Sequence, residues 1–269
     1  MPHIFTSLRH ATEKLLEAEY FLCRSMEADG IYFQYELNAF LSASRNVTFI
    51  MQSSMSRVAG FGDWYAEKQA IMRNDPAMRF FLELRNVSQK QGPVSYVSGA
   101  IIGGGYTYRF VEDRTKLPRD VIGKDIRVAC AEHLVKLGSL LSDFYTDMPF
   151  DACPWRAFSE AGMKALHFEW SDVEVAVGYP SGWANVDIPA EEKFKHLRRD
   201  IEPLNVSAIE RIASNNITGE KGPIDFSNVI GTGLIDRFAD NMSRNGLSLN
   251  PRAAFLRAVI DRVKDIDGK

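Results

Sequence analysis

The sequence predicts a mainly α fold with one inserted β-hairpin and a mixed C-terminal extension. Three observations carry this expectation. Apolar residues recur every three or four positions over long stretches, the period of a buried helix face. Short breakers, Asp29-Gly30, Gly60-Phe61-Gly62 and Asn74-Asp75-Pro76, cut those stretches into helix-length pieces. One segment, "VSYVSGAIIGGGYTYRFV" from Val94 to Val111, changes to β-branched and aromatic residues around a triple glycine, as a hairpin with a Gly-rich turn does.

The first predicted helix runs from Thr6 to Ala28 through Leu8, Ala11, Leu15, Ala18, Phe21, Leu22 and Met26, with Thr6 or Ser7 as its cap. After Asp29-Gly30 the period resumes from Ile31 to Met55, and the short loop makes these two helices an antiparallel pair. Asp63 is the expected cap of a third helix over Trp64 to Arg73. That helix renews at Pro76, with Asp75 as cap, and stops at Gly92-Pro93. A long amphipathic helix follows from Arg119 to Tyr145. Beyond Pro149 the pattern is short-period and rich in Pro, Gly and Trp, which predicts either a wrap over the helices or a small α+β subdomain. Ala190–Asn216 and Gly233–Met242 read as surface helices, and Pro251–Asp265 as a terminal one. The expected organisation is therefore residues 1–148, with the hairpin inserted at about 94–112, followed by an extension over 149–269.

Composition narrows the function classes. The chain has 269 residues, 45% hydrophobic and 25% charged, enough for a substantial core. A formal net charge of -3 gives no global footprint for DNA or RNA, so any nucleic-acid contact must be local. Cys23, Cys130 and Cys153 are odd in number and share no CxxC spacing, and the histidines form no paired ligand motif. No metal, disulfide framework or cofactor is expected. No signal core or membrane-length apolar run is present, and the expected location is the cytoplasm, away from membranes.

Three segments carry a family resemblance: "YFQYELNAFLSASRNVTFIMQ", "WYAEKQAIMRNDPAMRFFLELRN" and "RVACAEHLVKLGSLLSDFYTDMP". Their order, a helix pair, a Pro-interrupted third helix ending in Arg-Asn and a long fourth, resembles the HEPN superfamily over roughly Thr6 to Met148. The resemblance implies a HEPN-like four-helix up-down bundle and a homodimer through the second and third helices. In catalytic members an Arg, a polar residue and a His stand near the dimer interface. Here Arg85 and Asn86 match, and Lys90 stands where His is expected.

The chemistry makes that exchange consequential. RNA supplies its own 2′-hydroxyl nucleophile, so a metal-independent ribonuclease needs a proton-moving group and a cation for the developing phosphorane charge. Arg85 suits the second task. A His suits the first because it titrates near neutrality, whereas Lys stays charged. Asn86 and Lys90 share a helix face, and Arg85 lies about 140° round from Lys90.

The expectation is an RNA- or nucleotide-binding protein with cleavage lost or weak, its site built from Arg85, Asn86 and Lys90. The alternatives are an active metal-independent endoribonuclease using those residues, and a non-catalytic dimerisation or interaction module. Without the resemblance, "RNVSQKQG" is the polar last turn of a helix.

Other features weigh less. The glycines Gly103–Gly105 lack phosphate-loop spacing, and their neighbours Tyr106, Tyr108, Arg109 and Arg114 are a weak single-strand RNA signal. His133, beside Glu132, is expected on a polar face. His167, Glu169 and Asp172 are expected at a solvated strand end. Arg45-Asn46 is expected to hydrogen-bond between helices.

Overall fold

The apolar period of the first part of the chain folds into two long helices, α1 (Arg9–Ser25) and α2 (Gly30–Met55), in a computed structural model that describes residues 5–100, 106–111, 116–199 and 201–226. Ala11, Leu15, Ala18 and Leu22 of α1 are buried, as are Phe33, Leu37, Phe40 and Leu41 of α2, and the two helices pack on each other. Helix α1 begins at Arg9, whose amide donates to the Ser7 hydroxyl at 3.1 Å. The Thr6 hydroxyl instead donates to the carbonyl of Asp151 at 2.7 Å, and the Leu8 amide donates to that of Ala152 at 2.9 Å, so the chain start is tied to the extension.

Helix α3 (Phe61–Asn74) starts earlier than the expected Asp63 cap, because Gly60 takes a left-handed φ of +78° and turns the chain there. Asp63 lies in the first turn, where its charge complements the helix dipole. Helix α4 (Pro76–Lys90) begins as predicted: the Asp75 carboxylate accepts from the amides of Ala77 at 2.9 Å and Met78 at 3.0 Å, with Pro76 in the first turn.

The predicted hairpin is present as strands β1 (Tyr96–Ala100) and β2 (Tyr106–Phe110), antiparallel, with Tyr96 opposite Phe110 and Ala100 opposite Tyr106. Gly103–Gly105 and Arg114 lie outside the described residues. The long helix, α5 (Ile126–Asp147), starts at Ile126 and not at Arg119. Gly123 adopts φ +78°, and the Asp125 carboxylate accepts from the Arg127 amide at 2.8 Å.

The extension folds into short helices: α6 (Pro149–Ala152), α7 (Pro154–Ala157), α8 (Glu160–Ala165), α9 (Trp170–Val177), α10 (Ala190–Arg199) and α11 (Val206–Ala213). A 3-10 turn (Trp183–Asn185) and the two-residue strands β3 (Thr218–Gly219) and β4 (Gly222–Pro223) complete the described part. Pro203 falls between α10 and α11, so the surface helix expected over Ala190–Asn216 is two helices. The helices expected at Gly233–Met242 and Pro251–Asp265 lie outside the described residues.

A second cluster, Phe158, Met163, Val173, Phe194 and Leu197, gives the extension apolar packing of its own. Glu19 of α1, buried, receives the Arg211 guanidinium at 2.5 and 2.6 Å and the Thr218 amide at 2.9 Å. The extension is thereby pinned to the first helix. By contacts the chain divides into two compact units, one formed by residues 1–94 and 130–224 and one that includes residues 95–129.

The turn between α7 and α8 leaves no room at Gly162, where an added Cβ would stand 2.3 Å from the Ala157 carbonyl oxygen. Gly162→Ala is expected to destabilise the fold by about 1–3 kcal/mol, because backbone and not a flexible side chain must move. A chemical-denaturation midpoint equal to the wild type would refute this. Among the described residues, no helix is long and apolar enough to cross a membrane.

Candidate functional site

Helix α4 runs past α2 in the opposite sense: Ser88 Oγ donates to Asn38 Oδ1 at 3.0 Å and Gln89 Nε2 reaches Ser42 Oγ at 3.4 Å, while the other end of α4 faces later turns of α2. There, α2, α3, α4 and α5 line a half-open cavity of about 220 Å3. Helix α2 contributes Ser44, Arg45, Thr48 and Gln52. Helix α3 contributes Tyr65, Gln69 and Arg73, α4 contributes Arg79 and Phe81, and α5 contributes His133. The α2 and α3 sets recur at three- or four-residue spacing, and Met78 and Leu82 of α4 and Leu137 of α5 complete the same spacing on the other two, so each is one helix face.

The electrostatics are one-sided. Arg45, Arg73 and Arg79 line the cavity, and no Asp or Glu does. None of the three forms an ion pair among the described residues. Arg45 donates through Nη1 to the Thr48 hydroxyl within its own helix, so the interhelical bond expected for Arg45-Asn46 is replaced by a local one. Burial pushes the Tyr65 phenol up, and the nearby charges of Arg45 and Arg73 oppose that shift.

His133 is the buried wall of the site. It is 8% exposed, not on the polar face its neighbour Glu132 suggested. Its ring stacks on Phe81, with centroids 4.3 Å apart and planes 10° from parallel, and meets Phe40 edge-on at 6.4 Å. Burial drives its pKa from 6.5 down to about 3, assisted by the Lys136 charge and opposed by Asp75. The imidazole is neutral throughout the physiological range. Nδ1 is shut from solvent with no hydrogen-bond partner.

Asp75 links this wall to the α4 cap. Its burial favours the neutral acid, but the ammonium of Lys136 and the amides of Met78 and Ala77 together hold its carboxyl below the usual value.

The residues expected from sequence sit elsewhere on α4. Arg85 is half-buried, with Nη1 3.4 Å from Asn86 Oδ1 and Nε enclosed without a partner. Lys90 is exposed at the last position of the helix. Arg85, Asn86 and Lys90 share one end of α4, and none of them lines the cavity.

The minor candidates resolve differently. Glu169 and Asp172 form the capping box of α9, so they serve a helix start and not a strand end. Tyr108 is 2% exposed beneath the Arg127 guanidinium, which leaves no face for a base. Arg73, Arg79 and Gln69 were not singled out by sequence, and His133 was assigned to a polar face. The polar spacing Tyr65, Gln69 and Arg73 on one side of α3 was the available signal.

Residues 16–122 match a family model described as bacteriophage lambda protein ea47. Protein ea47 of Escherichia phage lambda is similar to this chain, 34% identical over 79 residues. That stretch covers 29% of this chain and 19% of the phage protein, so the similarity spans about a fifth of that relative. No solved structure gives a significant match. These findings overturn the HEPN resemblance: the family model that matches residues 16–122, from within α1 through α2, α3, α4 and the hairpin, is that of ea47. The ribonuclease-like reading, which rested on that resemblance, falls with it. The α2, α3 and α4 faces of the cavity all lie inside the matched residues.

Proposed function

We propose that this chain binds a small phosphate-bearing ligand of the nucleotide class in the cavity between α2, α3, α4 and α5, without cleaving it. The observation that carries the reading is three arginines and no carboxylate around one half-open cavity. Uncompensated guanidinium groups favour an anion, and their planar donor forks suit phosphate oxygens. The four helical segments serve as an up-down scaffold for it. A cavity volume of about 220 Å3 favours one nucleotide-sized group over an RNA strand, which needs an extended groove.

Calorimetric titration with a nucleoside 5′-monophosphate tests the proposal. Binding should weaken with added salt. Arg45→Ala and Arg73→Ala should each lower affinity about tenfold or more, the effect of losing one charge-assisted hydrogen bond. Binding that ignores both substitutions would sink it.

A second reading, a self-associating interaction module, draws on Ile31, Tyr32, Tyr35 and Phe49 of α2 and Ile71 of α3, all exposed large hydrophobics. Sedimentation as a concentration-dependent dimer that Tyr32→Ser and Tyr35→Ser together abolish is the expected result for it. A monomer at all concentrations would remove it.

A further inference from the structure

We propose that His133 makes the cavity selective for the heterocycle of its ligand: the site takes a planar, hydrogen-bonding ring that carries a phosphate, and the imidazole reads the ring. The inference rests on the phosphate-binding reading above and adds the part of the ligand that the arginines do not recognise.

The cavity has two kinds of wall. Its arginines and glutamines, Arg45, Arg73, Arg79, Gln52 and Gln69, are half-buried or exposed, whereas His133, Phe81 and Leu137 are buried. A ligand with a charged end and an apolar, flat end matches that division. The volume of about 220 Å3 is below that of most drug-sized pockets, so one ring and its immediate substituents fill the enclosed part while the phosphate meets the more exposed cations.

An apolar residue would serve better than histidine if the inner wall needed only to pack. A buried imidazole without a partner is unfavourable, because each unpaired polar atom loses its hydration. No hydrogen bond to either ring nitrogen of His133 is formed among the described residues, and Nδ1 is the enclosed one. Nε2 is therefore the edge left for a ligand. Stacking on Phe81 fixes the ring plane, so that edge has a set direction. Because the imidazole is neutral, one nitrogen donates and the other accepts, and the ligand must supply the complement. A nucleobase edge does so in the plane of a flat ring; a sugar hydroxyl can pair too, but its puckered ring offers no flat face to the apolar inner wall.

The test compares ribose 5-phosphate with the four nucleoside 5′-monophosphates on the full chain and on His133→Phe, which keeps an aromatic ring against Phe81. The wild type should bind at least one monophosphate about tenfold more tightly than ribose 5-phosphate. His133→Phe should lose that increment, so that no monophosphate binds better than ribose 5-phosphate, with its melting temperature recorded to confirm the fold.

If all monophosphates bind no better than ribose 5-phosphate, or if His133→Phe keeps the increment, the inference is overturned and the phosphate reading stands. If neither ligand class binds the wild type, both are overturned.

Discussion

Stability of the wild-type chain is expected to fall as pH drops from about 6.5 toward about 3, and His133→Phe is expected to remove that part of the slope. The folded state holds the imidazole at a pKa of about 3, against 6.5 for the free group, because burial disfavours the charged ring. Between those values the unfolded chain binds a proton that the folded chain refuses. Protonation therefore pulls toward unfolding, and each pH unit below about 6.5 removes up to about 1.4 kcal/mol. Above about 6.5 neither state is protonated and His133 contributes no slope.

The groups around it fix how the experiment is read. Lys136, one turn along α5, adds to the shift, and Asp75 opposes it. Asp75 itself is held below its ordinary 3.8, so its stabilisation is present above that value and lost only as pH falls through the lower folded one. The two contributions share a sign but occupy different windows, the Asp75 window being the more acidic. Urea denaturation of the wild type and His133→Phe across this range measures the difference. Parallel loss of stability in both proteins would show that the buried ring is not the linked group.

The helices were legible because helix periodicity and cap chemistry are local. Asp75-Pro76 could be placed from three residues, since a carboxylate cap followed by proline at the first position is defined by its neighbours alone. The hairpin was legible for the same reason. What local reasoning missed depends on which faces meet. His133 was assigned by its neighbour Glu132, yet adjacent helix residues point about 100° apart and sample different surroundings.

The cavity needed four helices to converge, and the polar spacing on α2 and α3 that marks it looks, in one helix, like an ordinary solvated face. The HEPN reading failed for want of specificity. Arg-Asn is two residues long, and this chain repeats it at Arg45-Asn46, Arg73-Asn74 and Arg244-Asn245. A helix order plus so short a motif describes many proteins.

The largest loss of stability from one substitution is expected at Asp125, in the compact unit that holds the hairpin. Its side chain is 1% exposed, and that of its partner Arg127 is 4%. The carboxylate accepts from the Tyr108 amide at 2.9 Å and the Thr107 hydroxyl at 3.0 Å, joining β2 to the start of α5. It also takes two bonds from the Arg127 guanidinium, each at 2.9 Å.

Asp125→Ala takes from the buried guanidinium both of its bonds to this carboxylate, and from the Tyr108 amide its bond to Oδ2; the Tyr106 carbonyl and the Tyr108 ring are among the contacts that Arg127 keeps. Breaking a buried pair from one side typically costs about 3–5 kcal/mol, because the surviving charge keeps its desolvation penalty without its partner. Asp125→Asn retains an acceptor of the same shape and should lose less. The double change Asp125→Ala with Arg127→Met should recover part of the loss, since an apolar pair carries no stranded charge. Denaturation of the four proteins, with hydrogen exchange at the Tyr108 amide, distinguishes the causes. If the double variant is no more stable than Asp125→Ala, the defect lies in the lost strand contacts and not in the arginine's lost carboxylate.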